Sequence, residues 1–400
     1  MKTAYIYDAI RTARARAKES GGLYDLKPHD LLKALYLSLE ARSGLDPNRV
    51  GEIILGCVTQ YGDQAGNIAK TSGLYAGWPS SISGLTVNRF CSSGLEAINI
   101  GALKVATGQE SIVVAGGVEM MSRVPMSADR ATAFTDLEFA ALCQMLPMGS
   151  GADLIATLNG VSRQQADTIA LNSQLRAAHA QQAGYFKSIV PVYNPVKDIT
   201  VTQDECVRGA TTLASLSELQ PAFAKLGSNG VDEMQMRVYS ELAAVDHVHT
   251  AGNSPAMADA AALTLLGDES IATSLKTKPR ARILAATTAS DDPLQVLSGC
   301  GAATHRLMTE QNLGVEDVDL FELHEAFAAT VIKCQRDLNI PDEKLNVNGG
   351  VIALGHPMGA TGAIMLGMLL DELERQEKHL GIVAASGAAG AGNAMLIERV

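Results

Sequence analysis

An α/β fold with a duplicated core is predicted by three features of the sequence. Short continuous apolar runs such as Ile112-Val113-Val114-Ala115 alternate with stretches of helical spacing. Runs of this kind are the pattern of parallel strands buried on both faces. The composition fits: of 400 residues 47% are hydrophobic, 37 are glycine and few are aromatic, as expected where strands turn tightly into helices. Lastly, two stretches recur in order. Thr86-Val87-Asn88 leads into a Cys-bearing turn and helix, and Asn346-Val347-Asn348 leads into a Gly-rich, His-bearing turn and helix. Ser111–Gly117 ends in Ala-Gly-Gly, and Gly381–Gly387 ends in Ala-Ser-Gly. A duplication explains both pairs economically. Cys91 and His356 then fall at equivalent ends of the two halves and can face one another.

In chain order, Thr3–Asp8 reads as a strand, Pro28–Arg42 as a helix with Leu31, Leu32, Leu35 and Leu39 on one face, Glu52–Val58 as a strand and Asn67–Ala76 as a helix. Thr86–Asn88 reads as the end of a buried strand. The helix after it carries Leu95, Ile98, Leu103 and Val105 and stops near Thr107-Gly108. From Met121 to Asp246 prolines, polar runs and weakly periodic pieces appear, with only a few clear helices, at Ser162–Gln182 and Ser217–Phe223. This is the pattern of a loop-rich insertion, where substrate contacts tend to lie. After Thr250 the rhythm resumes. Ala256–Leu266, His305–Gln311, Glu325–Leu338 and Gly355–Glu374 are expected as helices. Ala281–Thr287, His379–Ala385 and Ala394–Glu398 are expected as strands, and Leu345–Gly350 as a strand end. The expected division is 1–121 plus 250–273 for the first half, 122–249 for the insertion and 274–400 for the second half.

The net charge of −11, without a basic block, argues against nucleic acid or an anionic membrane as partner. Six scattered cysteines form no CxxC pair, hence no zinc ribbon and no disulfide framework. No run is long enough to span a membrane, the N-terminus reads as a charged strand rather than a leader, and the last residues are no peroxisomal address. The cytoplasm is the expected compartment.

The chemistry centres on Asn88-Arg89-Phe90-Cys91-Ser92-Ser93-Gly94. A thiol where strand becomes helix meets unpaired amides and a field that favours negative charge. That can lower its pKa from about 8.5 toward or below neutrality and make it a nucleophile. The small residues after it leave room for a carbonyl to approach the backbone. The competing reading is a small core cysteine. His356, between glycines and before Pro357, sits in a rigid turn able to aim an imidazole, or is simply a structural histidine. His324 lacks an HExxH context, which favours a polar role at a helix start over metal ligation. His247 and His249 point to one face of a strand, with no third ligand in view, so no metal is expected.

Taken together, Cys91-Ser92-Ser93-Gly94, His324-Glu325-Ala326-Phe327-Ala328 and Asn348-Gly349-Gly350 through Gly355-His356-Pro357-Met358-Gly359-Ala360-Thr361-Gly362 resemble the motifs of the thiolase family. Gly56-Cys57-Val58, Ala115–Ser122, Met148-Gly149 and Thr250–Asn253 extend the resemblance over essentially the whole chain. It implies a five-layer α/β/α/β/α fold with a loop domain inserted in the first half. It also implies acyl-CoA and CoA as substrates, no further cofactor, and a homodimer or homotetramer. Cys91 would carry the acyl group, His356 would take its proton, and His324 would open one oxyanion hole. The backbone N–H groups of Cys91 and Ala388 would form a second. Met148 and Phe327 match positions lining the pantetheine tunnel. The implied activity is cleavage of 3-ketoacyl-CoA by CoA, as in fatty acid β-oxidation, or condensation of acetyl-CoA.

One departure bears on that activity. The family's last loop, here Ser386-Gly387-Ala388-Ala389-Gly390-Ala391-Gly392, normally opens with a second cysteine that shuttles a proton at the substrate's α-carbon. A serine hydroxyl cannot act as that base without another base beside it. Acid–base help is worth roughly 10²–10⁴-fold, so slow or absent Claisen chemistry is expected, with acylation of Cys91 affected far less. Pro255, Ala13 and Pro147 also replace common family residues. The alternative is a divergent thiolase-like subunit that binds acyl-CoA or transfers acyl groups without Claisen chemistry.

Overall fold

The computed structural model describes residues 1–400, the side chain of Leu137 excepted. Five strands build the first half: β1 (Tyr5–Thr12), β2 (Glu52–Gly56), β3 (Ser83–Val87), β4 (Ile112–Met120) and β5 (Ala258–Gly267). They lie in the order β1-β5-β4-β2-β3. The second half uses β6 (Ala281–Ser290), β7 (Leu320–Leu323), β8 (Leu380–Ser386) and β9 (Ala391–Arg399), in the order β6-β9-β8-β7. Beyond β7 a single parallel bridge, Phe321 to Leu345, occupies the place that β3 has in the first half. The pairings correspond: β1–β5 and β5–β4 are antiparallel and β4–β2 parallel, as are β6–β9, β9–β8 and β8–β7. The two sheets meet through Tyr5–Arg282 and Ile6–Ala281.

Helices repeat the same plan. Between β2 and β3 lies α2 (Ile68–Tyr75), and between β7 and Leu345 lies α7 (Ala328–Leu338). Helix α1 (Pro28–Ser43) follows β1, and α6 (Gly299–Gln311) follows β6. The third pair, α3 (Ser93–Thr107) and α8 (Thr361–Arg375), pack on one another between the sheets. Three cores result: α1 and α2 against the outer face of the first sheet, α6 and α7 against that of the second, and α3 with α8 between the inner faces. This is a five-layer α/β/α/β/α arrangement. Helix α8 is buried from Thr361 through Leu373, and an apolar surface all round is what a central helix requires. In α3, Leu95, Ile98 and Val105 are buried while Leu103 faces solvent.

Four expectations need correction. Ala258–Gly267 is a strand, not a helix. Its Ala/Leu content favours a helix locally, but all ten residues are buried between β1 and β4, and that packing decides. Strand β3 is an edge strand and half exposed rather than buried, because only β2 pairs with it. Leu345–Gly350 contributes one bridge instead of a strand end: Asn346 turns inward and its side chain exchanges hydrogen bonds with the Leu323 backbone. The helix expected at Ser217–Phe223 lies earlier, at Leu213–Ser217, started by a capping box from Thr212 to Ser215.

Between β4 and β5 the chain forms α4 (Met148–Leu158), α5 (Arg163–Gln182) and a small hairpin, Val192–Asn194 with Ile199–Val201. Helix α4 packs on α7, and α5 on both α7 and the short helix Val351–Leu354. The insertion thus roofs the end of the sheets where α3 and α8 begin.

Candidate active site

The turn carrying Cys91 is built from its neighbours. Asn88 Oδ1 accepts the Phe90 N–H at 2.8 Å, and the Asn88 amide donates to the Val58 carbonyl at 3.0 Å. Ser93 Oγ accepts the Arg89 N–H at 2.8 Å and donates to the Phe90 carbonyl. These bonds hold Phe90 at φ +49°, a left-handed conformation costly for a bulky residue and typical of functional turns. Cys91 is left half-buried at the mouth of α3, not in the core.

His356 is delivered by the equivalent end of α8. Gly355 adopts φ +98°, which a side chain would strain. The His356 N–H donates to the Ala256 carbonyl at 2.8 Å, and ring atom Nδ1 pairs with Thr361 Oγ1 at 2.8 Å. With the proton on Nδ1, the lone pair of Nε2 stays free. His324 follows β7, and its ring centroid lies 4.6 Å from that of His356. Both ring nitrogens of His324 are buried without a hydrogen-bond partner among the described residues.

These three side chains line one apolar cavity of about 260 Å³ together with Met148, Phe223 and Phe327. A second cavity of about 330 Å³ is lined by Cys91, Asn88, Phe134, Met148 and Ala388 among others. Cys91 therefore stands where two cavities meet. The backbone N–H groups of Cys91 and Ala388 make no hydrogen bond of ordinary geometry among the described residues. The sequence-predicted residues Cys91, His356, His324, Met148, Phe327 and Ala388 are thus brought together.

The electrostatics correct one expectation. Burial, and then the Glu119 carboxylate, push the Cys91 thiol up to about 12, not down toward neutrality. Helix α3 begins two residues later, at Ser93, and its end charge does not outweigh lost water and a nearby anion. Burial, then His324, then Arg14 lower His356 well below the usual range, and burial lowers His324 to about 4. At rest the thiol and both imidazoles are neutral.

Ser386 is placed differently. It is buried, its hydroxyl donates to the Leu297 carbonyl at 2.8 Å and accepts the Cys300 N–H at 2.9 Å, and it lines neither cavity. Pro255 lines the first cavity, and Pro147 lines both. The rings of His247 and His249 lie on no strand and converge on Asp153, at 2.8 and 2.7 Å.

Three supporting residues were not singled out from the sequence, although each lies in a motif noted there. Glu119 is buried and accepts the N–H groups of Val58, Thr59 and Gly359, so it ties the Cys57 loop to the His356 loop. Glu325 accepts from Ser173 Oγ at 2.7 Å and from the Ile352 N–H at 3.2 Å, clamping the Gly-rich loop to α5. Thr361 fixes the His356 ring. A carboxylate or hydroxyl inside an apolar, Gly-rich run was the signal available, since such a group requires partners when buried.

The chain matches the family model described as the thiolase N-terminal domain over residues 4–231, and that of the thiolase C-terminal domain over 277–399. It is 36% identical to the 3-ketoacyl-CoA thiolase of Cronobacter sakazakii over 408 aligned positions, covering 100% of both chains. The same identity and coverage hold for the 3-ketoacyl-CoA thiolase of Klebsiella pneumoniae. The crystal structure of the Bacillus anthracis acetyl-CoA acetyltransferase superposes with a TM-score of 0.87 at 31% identity, covering 100% of this chain and 99% of that one. The family models and the named relatives set the class, an acyltransferase, and the duplicated α/β halves with a cavity at the paired helix starts agree with it. The chain belongs to the thiolase family.

Proposed function

We propose that this protein transfers acyl groups between CoA thioesters through a thioester on Cys91, cleaving 3-ketoacyl-CoA with CoA or running the reverse condensation. The observation that carries the reading is the single cavity shared by Cys91, His356 and His324, with Met148 and Phe327 along its wall. An apolar channel of this kind suits a pantetheine arm, and a thiol at its end suits the thioester. The chemistry draws on no cofactor beyond the CoA substrate.

In this reading Cys91 Sγ attacks the substrate carbonyl while its proton passes to Nε2 of His356. A neutral thiol and a neutral imidazole facing one cavity make the transfer concerted with attack, since a free thiolate is costly here. Two charges develop and each meets preorganised donors: the tetrahedral oxyanion on the carbon bonded to Cys91 meets the N–H groups of Cys91 and Ala388, and the enolate oxygen meets the neutral His324 ring. Cleavage of a 3-ketoacyl chain leaves the acyl group on Cys91 and an enolate of acetyl-CoA. The imidazolium formed at His356 can return the proton to that carbon, and a second CoA thiol then releases the acyl group.

The position of Ser386 favours a second reading, acyl transfer without carbon–carbon chemistry. Its hydroxyl is engaged by Leu297 and Cys300 and does not face the cavities. Incubation with acetoacetyl-CoA followed by intact mass distinguishes the readings. An acyl adduct on Cys91 with turnover supports the first. A persistent adduct without turnover supports the second, and Ser386→Cys should then restore turnover. Absence of any adduct on Cys91 refutes both.

For assembly, the open edge of β3 exposes unpaired backbone groups, and such an edge on a folded chain calls for a partner. We place a second copy there, giving at least a homodimer. Light scattering of the purified protein tests this, and a monomer at micromolar concentration would refute it. The cytoplasm remains the proposed compartment, supported by six free cysteines and by the lack, among the described residues, of any helix able to cross a membrane.

A further inference from the structure

Behind the last catalytic loop lies a pair of thiols that acyl transfer does not use. Cys300, the second residue of α6, and Cys334, in the middle of α7, are both buried with their sulfurs 3.3 Å apart. Among the described residues no other pair of cysteine sulfurs is in hydrogen-bond contact. Cys334 also lines a separate cavity of about 300 Å³ with Ser298, Gly301, His305 and Lys333. A small neutral molecule entering that cavity meets Cys334 first, with Cys300 directly behind it.

From this geometry we propose that Cys300 and Cys334 form an oxidative modification site, a dithiol that peroxide converts to an intramolecular disulfide. The Cys334 sulfur attacks one oxygen of hydrogen peroxide. The O–O bond breaks, and the departing hydroxide takes the thiol proton and leaves as water, giving a sulfenic acid. The Cys300 sulfur then attacks the sulfenic sulfur. The S–O bond breaks, and the second hydroxide leaves as water with the Cys300 proton. Two thiols and one peroxide thus give one disulfide and two waters. The neighbouring Cys334 thiol, and then the Ser386 hydroxyl and the first-turn amides of α6, favour a thiolate at Cys300, the better nucleophile for the second step. Cys300 and burial hold the Cys334 thiol protonated, so attack on peroxide is the slow step.

The disulfide would act on the site through its attachments. The Cys300 N–H is bonded to Ser386 Oγ, two residues before Ala388. Helix α7 begins immediately after Phe327, in the segment that carries His324. A covalent link between α6 and α7 therefore joins the supports of both proposed oxyanion holes.

The test is mass-based and does not depend on the acyl-transfer reading. The full-length Cys91→Ala protein, which removes competing oxidation at that thiol, is treated with hydrogen peroxide. It is then denatured in iodoacetamide and digested with and without dithiothreitol. The expected result is loss of both alkylatable thiols at Cys300 and Cys334 together, a cross-linked peptide pair joining them, and its disappearance on reduction. Cys300→Ser and Cys334→Ser should each abolish the cross-link, with thermal unfolding confirming that each variant is folded. Stepwise oxidation of Cys334 to sulfinic acid while Cys300 stays alkylatable would overturn the proposal. So would both thiols remaining free once the exposed Cys143 has been oxidised.

Discussion

Gly94 and Gly362 hold the same position, the second residue of α3 and of α8, and each lies against the backbone of the other helix's start. A methyl group on Gly94 would stand 2.7 Å from the Gly359 carbonyl oxygen and 3.1 Å from the Ala363 nitrogen. One on Gly362 would stand 2.8 Å from the Leu95 nitrogen. This reciprocal contact brings the Cys91 turn and the His356 loop to one cavity.

Gly94→Ala and Gly362→Ala should therefore each push the two helix starts apart. Overpacking against backbone costs about 1–3 kcal/mol, and the displacement falls where Cys91 and His356 must meet. Thermal unfolding should show the loss of stability, and intact mass should show slower formation of the Cys91 adduct in both variants. Normal acylation in a destabilised Gly94→Ala protein would mean that the helix spacing does not set the site.

The resting state of the thiol makes a second prediction. With Cys91 raised to about 12 by burial and Glu119, it is protonated at neutral pH, and its thiolate fraction grows about tenfold per pH unit up to that value. The rate of iodoacetamide modification at Cys91, followed by peptide mass, should still be climbing above pH 9. A plateau near pH 7 would show instead a thiolate held by an imidazolium.

Much of this architecture was legible in the sequence because the periodicity was strong. Leu31, Leu32, Leu35 and Leu39 marked α1, and the paired Asn88 and Asn348 turns marked the duplication that the sheet order bears out. What failed was decided by context. Ala258–Gly267 carries a helix former's composition, yet it fills the gap between β1 and β4, a placement that no local pattern encodes. The acidity expected for Cys91 fails because the helix end is visible in sequence, whereas the burial of the thiol and, after it, the Glu119 charge 28 residues further along the chain are not. Ser386 was legible as a departure from the motif, but the Leu297 and Cys300 backbones that hold its hydroxyl were not.

His324 provides a third test. Its ring is neutral down to about pH 4 through burial, against a weak opposing pull from the Ser386 backbone, and neither nitrogen makes a hydrogen bond of ordinary geometry among the described residues, as a donor kept for an oxyanion requires. His324→Ala should slow acyl transfer by roughly 10²–10³-fold, the usual cost of one oxyanion donor. His324→Asn keeps an N–H donor and should recover part of that loss. Because the imidazole gains a proton only near pH 4, the wild-type rate should show no break from this residue between pH 5 and 8. Equal rates for the two variants would assign His324 a packing role.

Glu119 links the two halves of the site, and its removal should be felt in both stability and turnover. The carboxylate accepts from Val58, Thr59 and Gly359 amides and from Gln64 Nε2 at 2.7 Å. Glu119→Gln turns an NH₂ group toward some of these donors and leaves them unsatisfied, at about 1–3 kcal/mol. Burial raises the Glu119 pKa above the ordinary carboxylate value. A raised acid pKa means that the folded state binds its proton more readily than the unfolded chain. This carboxyl therefore adds stability as the pH falls through its raised pKa, and a glutamine does not titrate. Thermal melts should then show Glu119→Gln below wild type at pH 7 and the gap widening toward pH 5. A gap that closes on acidification would show that the ionised form is the one the fold prefers, and would place the Glu119 charge among the stabilising contacts of the site.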